Sequence, residues 1–430
     1  MNTLLYDITH RCNLKCNHCY NSDYFLEEIN SEEVVDYVIE FIFRHNISHV
    51  HILGGEPFLS NKLWHFIDSI SDIASVSINT NGTLLHKENA LKILSRKNIN
   101  QITVSLDGHD EESNSIVRGK NVFNKVLENI TLFNSLKSEK GSTLKMNLAF
   151  VVFHENMNSL PSLPLIAKEN GFNRIMVSFL YHEGLAKLNY RFGYDYDTLL
   201  RNLLQMIKKS KNLGVEIMLD VKPIFLKMLE IRLNEPGISL GIEASNCYVN
   251  FGYRYISASG KLYPCGPSSK LGKEYLLYDL MKCDYAHEFS SIDIFTEDAI
   301  FNEDNENFCG KCPFNNICSP CPLNIPCNSY EMCGYAIKKI LNDFDKIGSN
   351  KIMISDDYLI NQSGGKLYII NFKLKVKFFL CDVIENIIDS ESIYKKPLLN
   401  LSQKIDSNTK KWDFIFNLLS AVNKGLLLLS

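Results

Sequence analysis

The chain has 430 residues, 45% of them hydrophobic, with a net charge of −4 and no long Lys/Arg run. That is enough to bury a large core in two or three domains, and it excludes a nucleic-acid grip built on phosphate neutralisation. No stretch of about 18 uninterrupted apolar residues predicts a membrane span, and Asp7, His10 and Arg11 break the first apolar run too early for a signal peptide. With no export signal, thirteen cysteines point to reduced thiols holding metal in a cytoplasmic, oxygen-sensitive protein.

The first element is a short buried strand through Leu4, Leu5, Tyr6 and Ile8, and the loop leaving it carries Cys12, Cys16 and Cys19. Three thiolates at Cys-x3-Cys-x2-Cys spacing reach three corners of an iron–sulfur cube and leave the fourth iron open. A structural zinc site would want a fourth ligand and usually two paired knuckles. Next, Asn30-Ser31-Glu32-Glu33 reads as a capping-box-like helix start, and Val34, Val35, Val38, Ile39 and Ile42 form one helical face ending near His45.

Strands are then predicted at His49–Leu53, Ser75–Asn79, Gln101–Leu106, Leu144–Phe153, Arg174–Leu180 and Val215–Leu219. Helices between them include Val122–Leu136 and Asp197–Asn212, the latter closed by Gly214. This alternation predicts an α/β fold with a parallel sheet, a partial (β/α)6 TIM-type barrel whose reactive groups sit on loops at the carboxyl ends of strands. At those ends lie Gly54-Gly55-Glu56-Pro57, Thr80-Asn81-Gly82 and Ser105-Leu106-Asp107-Gly108, with Arg118 beyond. Paired glycines allow a close backbone approach to a ligand, and a forked guanidinium suits a carboxylate.

The cysteine loop, with His18 just before its last cysteine, resembles the cluster motif of radical S-adenosylmethionine (SAM) enzymes. The resemblance continues through Gly54, Gly55 and Glu56, which it assigns to the amino group of SAM. It extends to Asn81, to Ser105 for the ribose, to Asp107, and to Arg118 for the SAM carboxylate. It implies a [4Fe-4S] cluster on Cys12, Cys16 and Cys19 that splits SAM into methionine and a 5′-deoxyadenosyl radical. The cofactor carries the difficult chemistry.

A second cysteine set follows: Cys247, Gly260, Cys265, then Cys309, Cys312, Cys318, Cys321, Cys327 and Cys333. This resembles the SPASM extension of peptide-modifying radical SAM enzymes, related to the anaerobic sulfatase-maturating enzymes, which holds auxiliary iron–sulfur clusters. By resemblance, Cys309, Cys312, Cys318 and Cys333 hold an outer cluster, and Cys247, Cys265 and Cys321 an inner one. Cys321 and Cys327 remain exchangeable, and the inner cluster either keeps an open iron or takes Cys283 or Cys327 as a further ligand. The family spacing before Cys321 is one residue longer than the two residues here.

The expected organisation is a barrel over 1–225, a small cysteine-rich auxiliary-cluster domain over 240–345 and a C-terminal α+β extension over 346–430. In the extension, Lys366–Asn371 reads as a strand, and Phe372, Leu374, Val376 and Phe378 alternate with lysines. Cys381 reads as a small buried hydrophobe, and Trp412–Leu419 as an amphipathic helix. Leader-peptide capture on a strand edge is one role for this extension, and plain stabilisation is the other. The resemblance implies an enzyme acting on a ribosomally made precursor peptide and forming a crosslink. It also implies an external electron donor such as flavodoxin or ferredoxin, with neither nucleic acid nor membrane as partner. Two other functions stay open: a sulfatase maturase forming formylglycine, and a non-catalytic iron–sulfur sensor. Gly266 after Cys265 stands where sulfatase maturases carry an Asp, which counts against the first. The intact SAM motifs count against the second.

Overall fold

A computed structural model describes residues 3–22, 32–181, 183–190, 193–233, 242–244, 252–270, 272–282, 329–349, 358–363, 366–371, 376–382 and 414–418. The first strand, β1 (Thr3–Asp7), buries Leu4 and Tyr6 completely and leads into the cysteine loop. Helix α1 (Glu32–Arg44) follows, its predicted cap at residues 30 and 31 lying outside the described residues. The strands β2 (His49–Leu53), β3 (Ser75–Thr80), β4 (Ile99–Ser105), β5 (Lys145–Val152), β6 (Arg174–Phe179) and β7 (Glu216–Leu219) match the predicted runs to within a few residues. β1 to β7 pair in parallel and in chain order, as the strand–helix alternation predicts. Short apolar runs form them because both faces are covered: Val76, Ile78, Ile102, Val104, Met146, Leu148 and Ile175 are all fully buried.

Helices α2 (Leu63–Ser69), α3 (Lys87–Leu94), α4 (Glu111–Arg118), α5 (Val122–Glu139), α6 (Leu163–Glu169), α7 (Leu185–Asn189) and α8 (Tyr196–Leu213) fill the crossovers. Two sharply capped helices place site residues or close the barrel. Asp110 caps α4, its side chain accepting from Ser113 N, so that the helix ends on Arg118. Gly214, in the left-handed region at φ 68°, terminates α8 as predicted.

The sheet continues past the barrel at both edges. β8 (Ile242–Ala244) pairs in parallel with β7, and β9 (Tyr253–Ile256) pairs in parallel with the other side of β1. β10 (Lys261–Tyr263) and β11 (Tyr278–Asp279) add antiparallel to β9. The strands leading into and out of the Cys265 turn therefore belong to the same sheet as the cysteine loop.

A second compact unit holds α9 (Pro223–Leu233), α10 (Ser329–Ser349) and an antiparallel meander of β12 (Tyr358–Ser363), β13 (Lys366–Asn371) and β14 (Val376–Asp382). β13 coincides with its prediction. The alternating run begins as strand only at Val376, and residues 372–375 lie outside the described residues. Helical residues 414–418 fall inside the predicted C-terminal helix. No helix among the described residues is long and apolar enough to cross a membrane.

Candidate active site

The predicted loops converge at the carboxyl ends of β1 to β4. Cys16 is buried and Cys12 and Cys19 are half-buried on the loop after β1. The residues after β2 form its backing. Gly55 N donates to Thr9 O at 2.8 Å and Glu56 N to Arg11 O at 2.8 Å. A Cβ on Gly54 would stand 2.3 Å from Thr9 O, and one on Gly55 2.2 Å from Arg11 O. The close approach predicted for this glycine pair is thus to the chain's own cysteine loop, which no larger residue would admit.

Glu56 is completely buried. Thr80 Oγ1 donates to its Oε1 at 2.8 Å, and Asn81 N donates to its Oε2 at 2.8 Å. Burial pushes this carboxyl up to about 7 against the pull of those donors. The Asn81 side chain turns the other way: Nδ2 donates to Asn13 Oδ1 at 2.9 Å and lies 3.8 Å from Cys12 Sγ. Its Oδ1 accepts from Thr83 N at 2.9 Å, while Asn13 Nδ2 donates to Thr83 Oγ1 at 2.8 Å. Asn13 and Thr83 carried no signal in the sequence beyond being polar loop residues.

On the opposite side, Asp107 is the organiser. It is fully buried, and its Oδ2 stands 2.6 Å from Arg118 Nε and 2.7 Å from His18 Nε2. Oδ1 accepts from Val151 N at 2.9 Å, and the Asp107 N–H donates to Asn114 Oδ1 at 2.9 Å. Burial alone would raise this carboxyl, but Arg118 and His18 outweigh it and hold the group below the usual carboxylate range. Arg118 also brings Nη1 to 4.0 Å from Cys16 Sγ. Ser105 closes β4 opposite Ala149 of β5. Glu56, Asn81 and Asp107, predicted from the ends of β2, β3 and β4, thus stand around the loop after β1.

The loop is also tied from behind. Asn17 N donates to Val117 O at 2.9 Å, and Leu185 N to Cys19 O at 3.0 Å. Asp7 Oδ2 accepts from Asn21 Nδ2 at 3.2 Å and from Tyr255 Oη of β9 at 2.6 Å. Burial pushes Asp7 up to about 6, moderated by these two bonds. A pairing across 248 residues has no trace in the sequence.

Burial also raises all three thiols, Cys19 to about 11. The donor set nevertheless suits an iron–sulfur cluster. Leu14 N lies 3.4 Å from Cys12 Sγ, so backbone N–H, the Asn81 amide and the Arg118 cation all face the sulfurs. Such donors stabilise thiolates bound to metal. Among the described residues no three His, Cys, Asp or Glu side chains stand close enough to share one metal ion.

Of the second cysteine set, Cys265 follows β10 in a turn where Ser268 Oγ donates to Cys265 O at 2.7 Å. Cys333 lies half-buried on α10. Cys247, Cys283, Cys309, Cys312, Cys318, Cys321 and Cys327 lie outside the described residues, as does the side chain of Cys381.

Residues 6–163 match the family model of the radical SAM superfamily. The matched stretch, from β1 to the start of α6, is a radical SAM domain. The match to this superfamily indicates an enzyme. A mycofactocin maturase, MftC of Mycolicibacterium smegmatis, is 29% identical over 174 residues, covering 39% of this chain and 42% of that protein. A probable GTP 3′,8-cyclase of Sulfurisphaera tokodaii is 26% identical over 286 residues, 65% of this chain and 85% of the cyclase. Among solved structures, Streptococcus suis SuiB bound to its precursor peptide SuiA has a TM-score of 0.57 at 20% identity, covering 75% of this chain and 72% of SuiB. The structure of anSMEcpe with bound AdoMet has a TM-score of 0.56 at 21% identity, covering 81% of this chain and all of that one. At these identities the two structures establish the fold of the radical SAM domain and its continuation. The match to MftC spans less than half of that relative.

Proposed function

We propose that this chain is a radical SAM peptide maturase that crosslinks a ribosomally made precursor peptide. The observation that carries the reading is the cysteine loop enclosed by Glu56–Asn81 on one side and Asp107–Arg118–His18 on the other. Cys12, Cys16 and Cys19 hold a [4Fe-4S] cluster. When bound, that cluster supplies the electron that cleaves SAM. Arg118, oriented by Asp107, offers its remaining N–H groups to the SAM carboxylate. The Gly54-Gly55-Glu56 edge and Asn81 take the amino group, and Ser105 the ribose. The electron comes from an external flavodoxin or ferredoxin in the cytoplasm.

The remaining organisation follows the cysteines: a barrel over 1–225, an auxiliary-cluster domain over 240–345 and an extension over 346–430. Cys309, Cys312, Cys318 and Cys333 hold an outer cluster. Cys247 and Cys265, with Cys321 or Cys327, hold an inner one. The peptide substrate is supported by the MftC relative and by the fold shared with peptide-bound SuiB. The cyclase relative shows that the domain alone does not select a peptide.

The test is anaerobic. The reconstituted, reduced protein is incubated with SAM and with short peptides encoded beside its gene. Production of 5′-deoxyadenosine together with a peptide lighter by two hydrogens supports the reading. No 5′-deoxyadenosine would favour a sensor, and a formylglycine product a sulfatase maturase.

A further inference from the structure

Beyond Ser105 the inner face of the barrel carries a row of residues that the site described above does not use. Ser105 of β4 is opposite Ala149 of β5, Ala149 opposite Met176 of β6, and Met176 opposite Met218 of β7. Partners in register lie on one side of a sheet, and their sequence neighbours on the other. The neighbours Leu148, Phe150, Ile175, Val177, Ile217 and Leu219 are 2% exposed or less, on the side the crossover helices cover. All four residues of the row are partly exposed. The two methionines therefore differ from core filling: Met146, Met157, Met206 and Met228 are 4% exposed or less. Met176 is also held in place, because Asn147 Nδ2 donates to its Sδ at 3.7 Å.

No charged residue stands in the row between Ser105 and Met218. One row toward the amino ends, Arg174 and Glu216 pair with each other at 2.8 Å. The acidic residues nearest in register lie outside the row's span: Asp220 is exposed past the end of β7, and Glu243 is opposite Met218 on the edge strand β8. We propose that Met176 and Met218 seat an apolar side chain of the substrate peptide, beside the ribose that Ser105 takes. At about 4.8 Å between strands, Met176 lies about 10 Å and Met218 about 14 Å from Ser105 along the row. Only the methyl group of Ala149 stands between, which leaves space for the nucleoside and then for a side chain. Unbranched thioethers adapt to aliphatic and aromatic groups alike. A charged side chain would lose its water there without gaining a partner from the row. The inference rests on the peptide-maturase reading and adds the class of residue it selects.

The test is equilibrium dialysis of radiolabelled peptides against the reconstituted protein with saturating SAM. Four blocked tripeptides, acetylated and amidated, carry Phe, Leu, Gln or Lys between two glycines. The Phe and Leu probes should bind about tenfold tighter than the Gln and Lys probes. The double variant Met176→Gln/Met218→Gln should abolish that preference, and Met176→Leu/Met218→Leu should keep it. Iron content and SAM affinity should be unchanged in both. Should the Gln double variant fold poorly, Met218→Gln alone should reduce the preference. A Gln or Lys probe that binds as tightly as Phe and Leu, or a preference that survives the Gln substitutions, overturns the proposal. A fall in SAM affinity in the Gln variants overturns it too, since the methionines would then seat the adenine of SAM. Missing 5′-deoxyadenosine would overturn the enzymatic reading, and the dialysis result would stand apart from it.

Discussion

Asp107→Asn is the most informative single change in the radical SAM domain. The substitution preserves shape and keeps an acceptor for Val151 N, yet removes the charge that faces Arg118 at 2.6 Å and His18 at 2.7 Å. Asp107 is fully buried and Arg118 is 8% exposed, so solvent screens the pair little. Removing one partner of a buried pair leaves an uncompensated charge and costs about 3–5 kcal/mol. The retained geometry and the incomplete burial of Arg118 put the expected loss at the lower end, about 3 kcal/mol. The urea midpoint of the reconstituted protein, followed anaerobically by circular dichroism, should fall without a change in slope. SAM affinity should fall with it, because Arg118 loses the group that aims it. The pH dependence has a definite sign. A carboxylate whose pKa is lowered on folding contributes stability above its unfolded value and loses it as pH falls toward the folded one. Wild type should therefore lose its advantage over the variant only in acid. A variant with wild-type midpoint and SAM affinity at neutral pH would refute the view of Asp107 as organiser.

Glu56 has the opposite sign. Its carboxyl, raised to about 7 by burial, makes wild type lose stability as pH rises from the ordinary glutamate range toward 7, and Glu56→Gln should flatten that slope in midpoint measurements. Gly55→Ala places a Cβ 2.2 Å from Arg11 O, so the cysteine loop cannot seat, and iron bound by the loop should drop while helical circular dichroism is retained. Replacing Cys12, Cys16 and Cys19 together with Ala should abolish SAM cleavage while auxiliary iron remains. Iron falling to zero would contradict separate clusters.

The strands of the barrel are legible because each is a short apolar run ending at a polar or glycine-rich turn, and a parallel sheet buries both faces. The site is legible for the same reason: Glu56, Asn81 and Asp107 each sit just past such a run, and Ser105 lies at the end of one. What each side chain touches is not. Nothing in the spacing of Asp107 and Arg118 reveals that the two pair across α4, or that His18 reaches the same oxygen. The glycine pair shows a need for close approach but not toward what. The attachment of β9 to β1 is invisible as well, because pairing partners about 250 residues apart leave no local pattern.

That attachment has a consequence for how the protein is made. β1 is an interior strand, flanked by β2 and by β9, and Thr3 pairs with both His49 and Tyr253. During synthesis β2 arrives early, but β9 arrives some 250 residues after β1. At ~5–20 residues per second, the chain waits about 10–50 s with one side of β1 unladdered. Tyr255, which holds Asp7 beneath the cysteine loop, arrives with β9. The three thiols thus emerge almost first, and the supports of their loop close around it late.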